Sequence, residues 1–235
     1  MNILAIDTSS ETMGIAIYEQ DKLKVEYISN SKNQHSVRLM PAIQQLMSDA
    51  MLAPRDLSRI VVAKGPGSYT GVRIGLSTAK TMAWSLNIPV IGISSLETLA
   101  LQAASFQQLI CPFFDARRGL VYTGLYQPND IGVLESVEEE QNILFEDWLK
   151  QLKQKNEKII FLSPDIEMYR ELIMETLGEL AIIPLESFHI ARPSLLAIAG
   201  RDRQPTNVHE LIPNYLRLVE AEAKWLEAQR KEHNG

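Results

Sequence analysis

The stretch "ILAIDTSSETMGIAIYEQDKLKVEYI", residues 3–28, decides how the rest of the chain is read. It holds three short runs rich in β-branched residues, 3–7, 14–19 and 23–28, divided by turn material at "TSSET" and "EQDK". Such runs predict an antiparallel meander of three strands. The first run ends on Asp7, where an apolar strand gives way to three hydroxyls.

Outward from the meander, "HSVRLMPAIQQLMSDAML" (35–52) places apolar residues at 39, 43, 46, 47 and 50, a helical stripe. Pro41 must lie near its first turn or bend it. "RIVVA" (59–63) reads as a strand, "YTGVRIGLSTAKTMAWSL" (69–86) as a helix and "IPVIGI" (88–93) as a strand. "SLETLALQAAS" (95–105) reads as a helix capped by Ser94 or Ser95. The order is βββαβαβα, and the second half repeats it. "LICPFFDA" (109–116), "GLVYTGLY" (119–126) and "IGVLESVEE" (131–139) are three predicted strands and "FEDWLKQLKQ" (145–154) a helix. "KIIFLS" (158–163) is a strand, and "DIEMYRELIMETLG" (165–178) a helix with Gly178 as its C-cap. "LAIIP" (180–184) and "PSLLAIAGRD" (193–202) supply the last strand and helix.

One topology written twice argues for internal duplication, with the boundary near the polar "ASFQQ" at 104–108. The expected lobes are 1–105 and 106–235. The tail from Ala221, with Glu220 and Lys224 and then Glu227 and Lys231 at helical spacing, reads as a solvated helix. The duplicated order resembles the two-lobed, ribonuclease-H-like α/β fold of the actin, Hsp70 and sugar-kinase superfamily. That resemblance implies an aspartate beside nucleotide phosphates at the first turn of each half, and Asp7 and Asp115 take the matching places.

At 235 residues the chain is long enough to bury a large core without staples. Its one cysteine, Cys111, excludes an internal disulfide and fits a reducing compartment as a buried apolar residue. With 29 acidic residues against 23 Lys plus Arg, the charge of -6 argues against RNA binding by the chain alone. No run approaches the ~18 apolar residues of a membrane span, and "MNILAIDTSS" has no signal-peptide pattern. A cytoplasmic protein is expected.

Three loops have the composition to carry chemistry. In "DTSS" (7–10), Asp7, Thr8 and Ser9 either face a phosphate or cap their own turn, and the glycine that lets backbone amides reach a phosphate is missing. In "DARRG" (115–119), Arg117 and Arg118 either bind an anion or form a plain surface turn. "KGPGSYTGVRIGLS" (64–77) stands between a strand and a helix, the setting of a backbone anion site near Ser68. Its spacing fits neither a dinucleotide loop nor a P-loop. Its glycines suggest packing instead: Gly71, Gly75, Thr78 and Met82 form a ridge that lets another helix come close. His35, His189, His209 and His233 lack ligand spacing, so no metal site is expected. No serine sits in a nucleophile-elbow pattern.

Together, "ILAIDTSS", "HSVRLMPAI", "GPGSYTGVRIG", "GISSLETLA", "DARRGLVYTGLY" and "PNYLR" resemble the bacterial TsaB (YeaZ) family across nearly the whole chain. The resemblance implies a non-catalytic subunit of the machinery that places threonylcarbamoyl on N6 of adenosine 37 in tRNAs reading ANN codons. Its implied partners are the catalytic paralogue TsaD and the ATPase TsaE. A homodimer would form when TsaD is absent, and tRNA would be met only through the complex. No cofactor is implied for the chain alone, with ATP at most at a composite site. The paralogue's metal ligands would fall on Ser95 and Leu99, neither of which replaces an imidazole. The family's dimer helices would be 36–52 and 70–86. Leu39, Ile43, Leu46, Met47 and Met51 would then meet a partner beside Gly71, Gly75, Thr78 and Met82, unless these residues cover their own sheet. The competing readings are a free-standing ATP-dependent kinase or ATPase and a glycoprotease-type peptidase.

Overall fold

The computed structural model describes residues 1–30 and 35–216. Its first half runs β1 (Asn2–Asp7), β2 (Met13–Glu19), β3 (Lys22–Ser29), α1 (His35–Asp49), β4 (Arg59–Ala63), α2 (Tyr69–Leu86), β5 (Val90–Ile93) and α3 (Ser95–Ala100). The second half repeats the order with β6 (Leu109–Asp115), β7 (Leu120–Pro128), β8 (Leu134–Leu144), α4 (Phe145–Gln154), β9 (Ile159–Leu162), α5 (Ile166–Leu177), β10 (Ala181–Ile182) and α6 (Pro193–Arg201). The sheets are ordered β3-β2-β1-β4-β5 and β10-β9-β6-β7-β8, so the two halves share one topology. In each, a three-strand antiparallel meander is extended by two parallel strands. This is the duplicated ribonuclease-H-like fold.

The central strands are apolar on both faces because helices cover both. In β1, Leu4 and Ile6 join the core under α1 and α2, while Ile3 and Ala5 face α6. The second sheet packs Phe113 and Phe161 against α4 and α5, and Ile110 and Ile160 against α3. The inner helices are therefore exchanged. α3, from the first half, covers the second sheet with Leu96 and Leu99; α6, from the second half, covers the first with Leu196 and Ala197. Each of these leucines is fully buried and contributes roughly 1.5–3 kcal/mol to holding the halves together. The last turn of α6 is closed from β4, where Arg59 Nη1 donates to the carbonyl of Gly200 at 2.9 Å and to that of Arg201.

The glycine ridge of α2 does not face outward. A methyl group on Gly75 would stand 2.5 Å from Thr8 Oγ1 and 3.7 Å from Ile6, so the ridge lets α2 lie against the protein's own β1 and β4. Leu39, Ile43, Leu46 and Met47 of α1 are also in that core, and Met82 packs against it half-buried. These positions form intramolecular contacts, contrary to the interface expectation; of that set only Met51, 83% exposed, faces fully outward. The hydrophobic periodicity locates a buried stripe, and the nearest apolar surface available to it is the chain's own sheet.

Boundaries differ in places. Pro41 lies in the interior of α1, removing the amide that would bond the carbonyl of Val37. β8 starts three residues later than the pattern predicts and runs on to Leu144, because a register shift beside Gly124 and Leu125 lets it continue past "VEE". Ser94, not Ser95, caps α3, and its hydroxyl accepts from the amides of Leu96 and Glu97. Beyond α6 the chain turns back along the first half. Thr206 N donates to Val90 O at 3.1 Å, and Leu211 is buried beside Gly92, its carbonyl accepting from Lys80 Nζ at 2.8 Å. The predicted tail helix lies outside the described residues.

Candidate functional site

The two first turns and the loop before α2 meet at a cleft of about 640 Å³ between the lobes. Ser9, Ser68, Asp115 and Arg117 line it, together with Glu11, Tyr69 and Asp165. Asp7 and Thr8 lie behind its wall, and Arg118 sits beside the rim on the exposed tip of its turn.

The first turn is tied to itself and to the glycine loop. Asp7 Oδ1 accepts from Ser9 N at 2.9 Å and from Ser9 Oγ at 2.7 Å, so the aspartate caps the β1–β2 turn. Burial pushes the Asp7 carboxyl up, against the two Ser9 hydrogen bonds and the nearby His35, which pull it down. Thr8 Oγ1 donates to the carbonyl of Gly71 at 2.7 Å, and Ser68 N donates to the carbonyl of Ser9 at 2.7 Å. Gly67 makes this approach feasible, since a methyl group there would stand 2.2 Å from the carbonyl of Ser9 and its φ is +151°. Ser68 Oγ accepts from Gly71 N at 3.3 Å and caps α2. Two of the amides that a phosphate would seek, those of Ser9 and Ser68, are thus bonded within the chain.

The second turn follows the same logic with different chemistry. Asp115 Oδ1 accepts from Tyr169 OH at 2.7 Å and from Arg117 N at 3.0 Å, and Asp115 N donates to Asp165 Oδ2 at 3.0 Å. Asp165 precedes α5 without capping it by side chain, because its carboxylate reaches across to β6. Burial pushes Asp165 up, and the neighbouring Asp115 and Glu11 add to that, while the Asp115 amide opposes it. Arg117 and Arg118 have φ of 66° and 57°, a left-handed pair that turns the chain tightly from β6 into β7.

Ser95 and Leu99, which the family resemblance sets against the paralogue's metal ligands, are fully buried. Ser95 Oγ accepts from Gly65 N at 3.1 Å and Leu99 packs under the second sheet. Among the described residues, no three His, Cys, Asp or Glu side chains come together as a metal site.

A second surface emerges that the buried stripes conceal. α1 exposes Val37 (66%) and Met40 (48%), the turn after it Met51 (83%), and α2 Trp84 (69%). Val37 and Met40, three positions apart, are the signal on α1 itself; Met51, with φ of 58°, lies in the turn beyond its end.

The topology and cleft define a two-lobed protein of the ribonuclease-H-like class. The family model for TsaD, the tRNA N6-adenosine threonylcarbamoyltransferase, matches residues 25–225. The tRNA threonylcarbamoyladenosine biosynthesis protein TsaB of Bacillus subtilis (strain 168) is 53% identical over 230 residues, covering 98% of this chain and 100% of the relative. TsaB of Buchnera aphidicola subsp. Schizaphis graminum is 34% identical, covering 65% and 75% of the respective chains. A crystal structure from Pseudomonas aeruginosa, described as similar to peptidase YeaZ, superposes with a TM-score of 0.78 at 25% identity, covering 92% of this chain and 99% of that one. The chain belongs to the TsaB family of tRNA threonylcarbamoyladenosine biosynthesis proteins. Among the described residues no helix is long and apolar enough to cross a membrane.

Proposed function

We propose that the chain is the non-catalytic partner subunit of the complex that adds threonylcarbamoyl to adenosine 37, pairing with TsaD, working with TsaE and acting in the cytoplasm. The observation that carries this reading is the set of large apolar side chains left exposed in the first half: Val37 and Met40 on α1, Met51 in the turn after it and Trp84 on α2. Exposed tryptophan and methionine side chains are the kind that anchor contacts between subunits. The same side chains would serve a homodimer in the absence of TsaD. The internally bonded turns at Asp7 and Asp115 favour a subunit without turnover of its own, with ATP at most at a site shared with partners.

Capture of TsaD tests the surface. Trp84→Glu and Met51→Glu should weaken it about thirtyfold, the size of a hot-spot loss, without lowering the urea midpoint. Undiminished capture by both variants sinks the interface. Reconstitution of tRNA modification with TsaD and TsaE, with and without this chain, tests the role. ATP hydrolysis by the chain alone that disappears in Asp7→Asn would favour the kinase or ATPase reading instead.

A further inference from the structure

Glu140 lies on β8, the edge strand of the second sheet, yet its carboxylate gathers donors from three distant parts of the chain. Oε1 accepts from Tyr126 OH at 2.6 Å and from Ser94 Oγ, the cap of α3 in the first half. Oε2 accepts from Asn214 Nδ2 at 2.9 Å. Asn214 in turn donates its backbone amide to the carbonyl of Lys64 at 2.7 Å, at the head of the glycine loop. The next residue, Tyr215, stacks on Tyr69 with centroids 5.6 Å apart, and its hydroxyl accepts from Arg73 Nε at 2.7 Å. Arg73 also lies over the Tyr69 ring at 4.1 Å. One carboxylate of the second lobe is thus joined through Asn214 to the head of the glycine loop, and through the adjacent Tyr215 to the first turn of α2.

We propose that Glu140 and Asn214 form a conformational relay, by which the second lobe fixes the returning strap 206–216 and thereby sets the glycine loop and the Tyr69–Arg73 end of α2. Charged acceptors make the stronger hydrogen bonds, and three donors on one carboxylate fix its position. A neutral amide is a poor replacement: with its nitrogen towards Asn214 Nδ2 it meets donor against donor, and with its nitrogen towards the Ser94 and Tyr126 hydroxyls it takes away the acceptor of both hydroxyl protons. Tyr126 is held protonated by burial and by the Glu140 charge, which keeps its hydroxyl a donor. The relay ends at the helix whose outer face is the proposed contact, yet it is defined within the chain and does not depend on that reading.

Hydrogen exchange of the full-length protein, read by mass spectrometry, tests it. In Glu140→Gln and in Asn214→Ala, peptides covering 206–216 and 64–73 should exchange about tenfold faster, while those covering β1 and β2 stay as in the parent. Lys155→Ala, which removes the ion pair between the end of α4 and Glu138, two residues from Glu140 on β8, should change neither region. Unchanged exchange in both variants overturns the relay. So does acceleration confined to 206–216, which would make Asn214 a local anchor, or equal acceleration in β1 and β2, which would mean general loosening. Asn214 lies near the end of the described chain, outside both sheets, so its variant keeps the test available should Glu140→Gln fail to fold.

Discussion

A methyl group placed on Gly71 would stand 2.1 Å from the carbonyl oxygen of Thr8. That oxygen belongs to the backbone, so either the β1–β2 turn or α2 must move to admit a side chain. Alanine at Gly71 should therefore destabilise by about 1–3 kcal/mol even after the gain of about 1 kcal/mol in helix propensity. Gly75→Ala meets the Thr8 hydroxyl, a side-chain atom that can rotate, and should cost less. Urea titration ranks the two, and the reverse order would refute the close-approach account.

His189 makes stability fall on acidification. It is 3% exposed, with Nδ1 accepting from Ser163 N at 3.2 Å and Nε2 bonded to the carbonyl of Pro184 at 3.1 Å, an arrangement only the neutral ring satisfies. Burial lowers its proton affinity, helped by Arg170 and opposed by the Pro184 carbonyl, Glu167 and Glu186. The unfolded imidazole therefore binds protons more readily. The contribution is complete above the ordinary histidine value of about 6.5 and is lost as pH falls from there towards the folded value. The urea midpoint should drop more between pH 7.5 and 5.5 in the parent than in His189→Gln; equal drops would contradict this.

Glu26 on β3 caps α6 from the other half of the chain. Its Oε1 accepts from Ser194 N at 2.9 Å and its Oε2 from Arg192. Burial raises its carboxyl, but the bonds from Arg192 and Ser194 outweigh that and hold it below the usual value. Glu26→Gln should lose about 1–3 kcal/mol at pH 7. The loss should shrink below pH 4, because a depressed carboxyl gives its stability above the unfolded value and surrenders it as pH falls through the folded one. Chemical denaturation at the two pH values is the measurement.

Cys111 is fully buried, accepts from Trp148 Nε1 at 3.3 Å, and burial pushes its thiol up to about 11. Iodoacetamide at pH 8 should leave it unmodified in the folded protein and alkylate it in urea. Mass spectrometry of both samples decides the matter; rapid labelling without urea would refute it.

The meander, the crossovers and the duplication are legible because β1–β3 and β6–β8 alternate with clear turn residues, and because α1 and α2 carry regular apolar stripes. A serine cap for α3 is legible as Ser94 or Ser95, but only the geometry chooses Ser94. The destination of a buried stripe is not local information. Nothing in "SLETLA" says that Leu96 and Leu99 lie under the second sheet, nor does "PSLLAIAG" assign Leu196 to the first. The ridge at Gly71 and Gly75 shows the same limit: small residues announce a close approach but not its target, which here is Thr8. Around the cleft, Asp7 behind its wall and Asp115 in its lining are visible as strand-ending carboxylates, whereas Asp165 and Tyr169, which bond Asp115, arrive from α5 and its approach, some fifty residues away in sequence.

The exchange of α3 and α6 also bears on how the protein is made. Translation delivers the first sheet long before α6, so Ile3, Ala5, Val61 and Ile91 wait with one apolar face uncovered until residues 193–201 have been synthesised. Chains usually fold from the N-terminus as domains emerge. Here the first half must stay partly open, a sticky nascent intermediate, and a message truncated after residue 105 would encode a sheet with no means of closing itself.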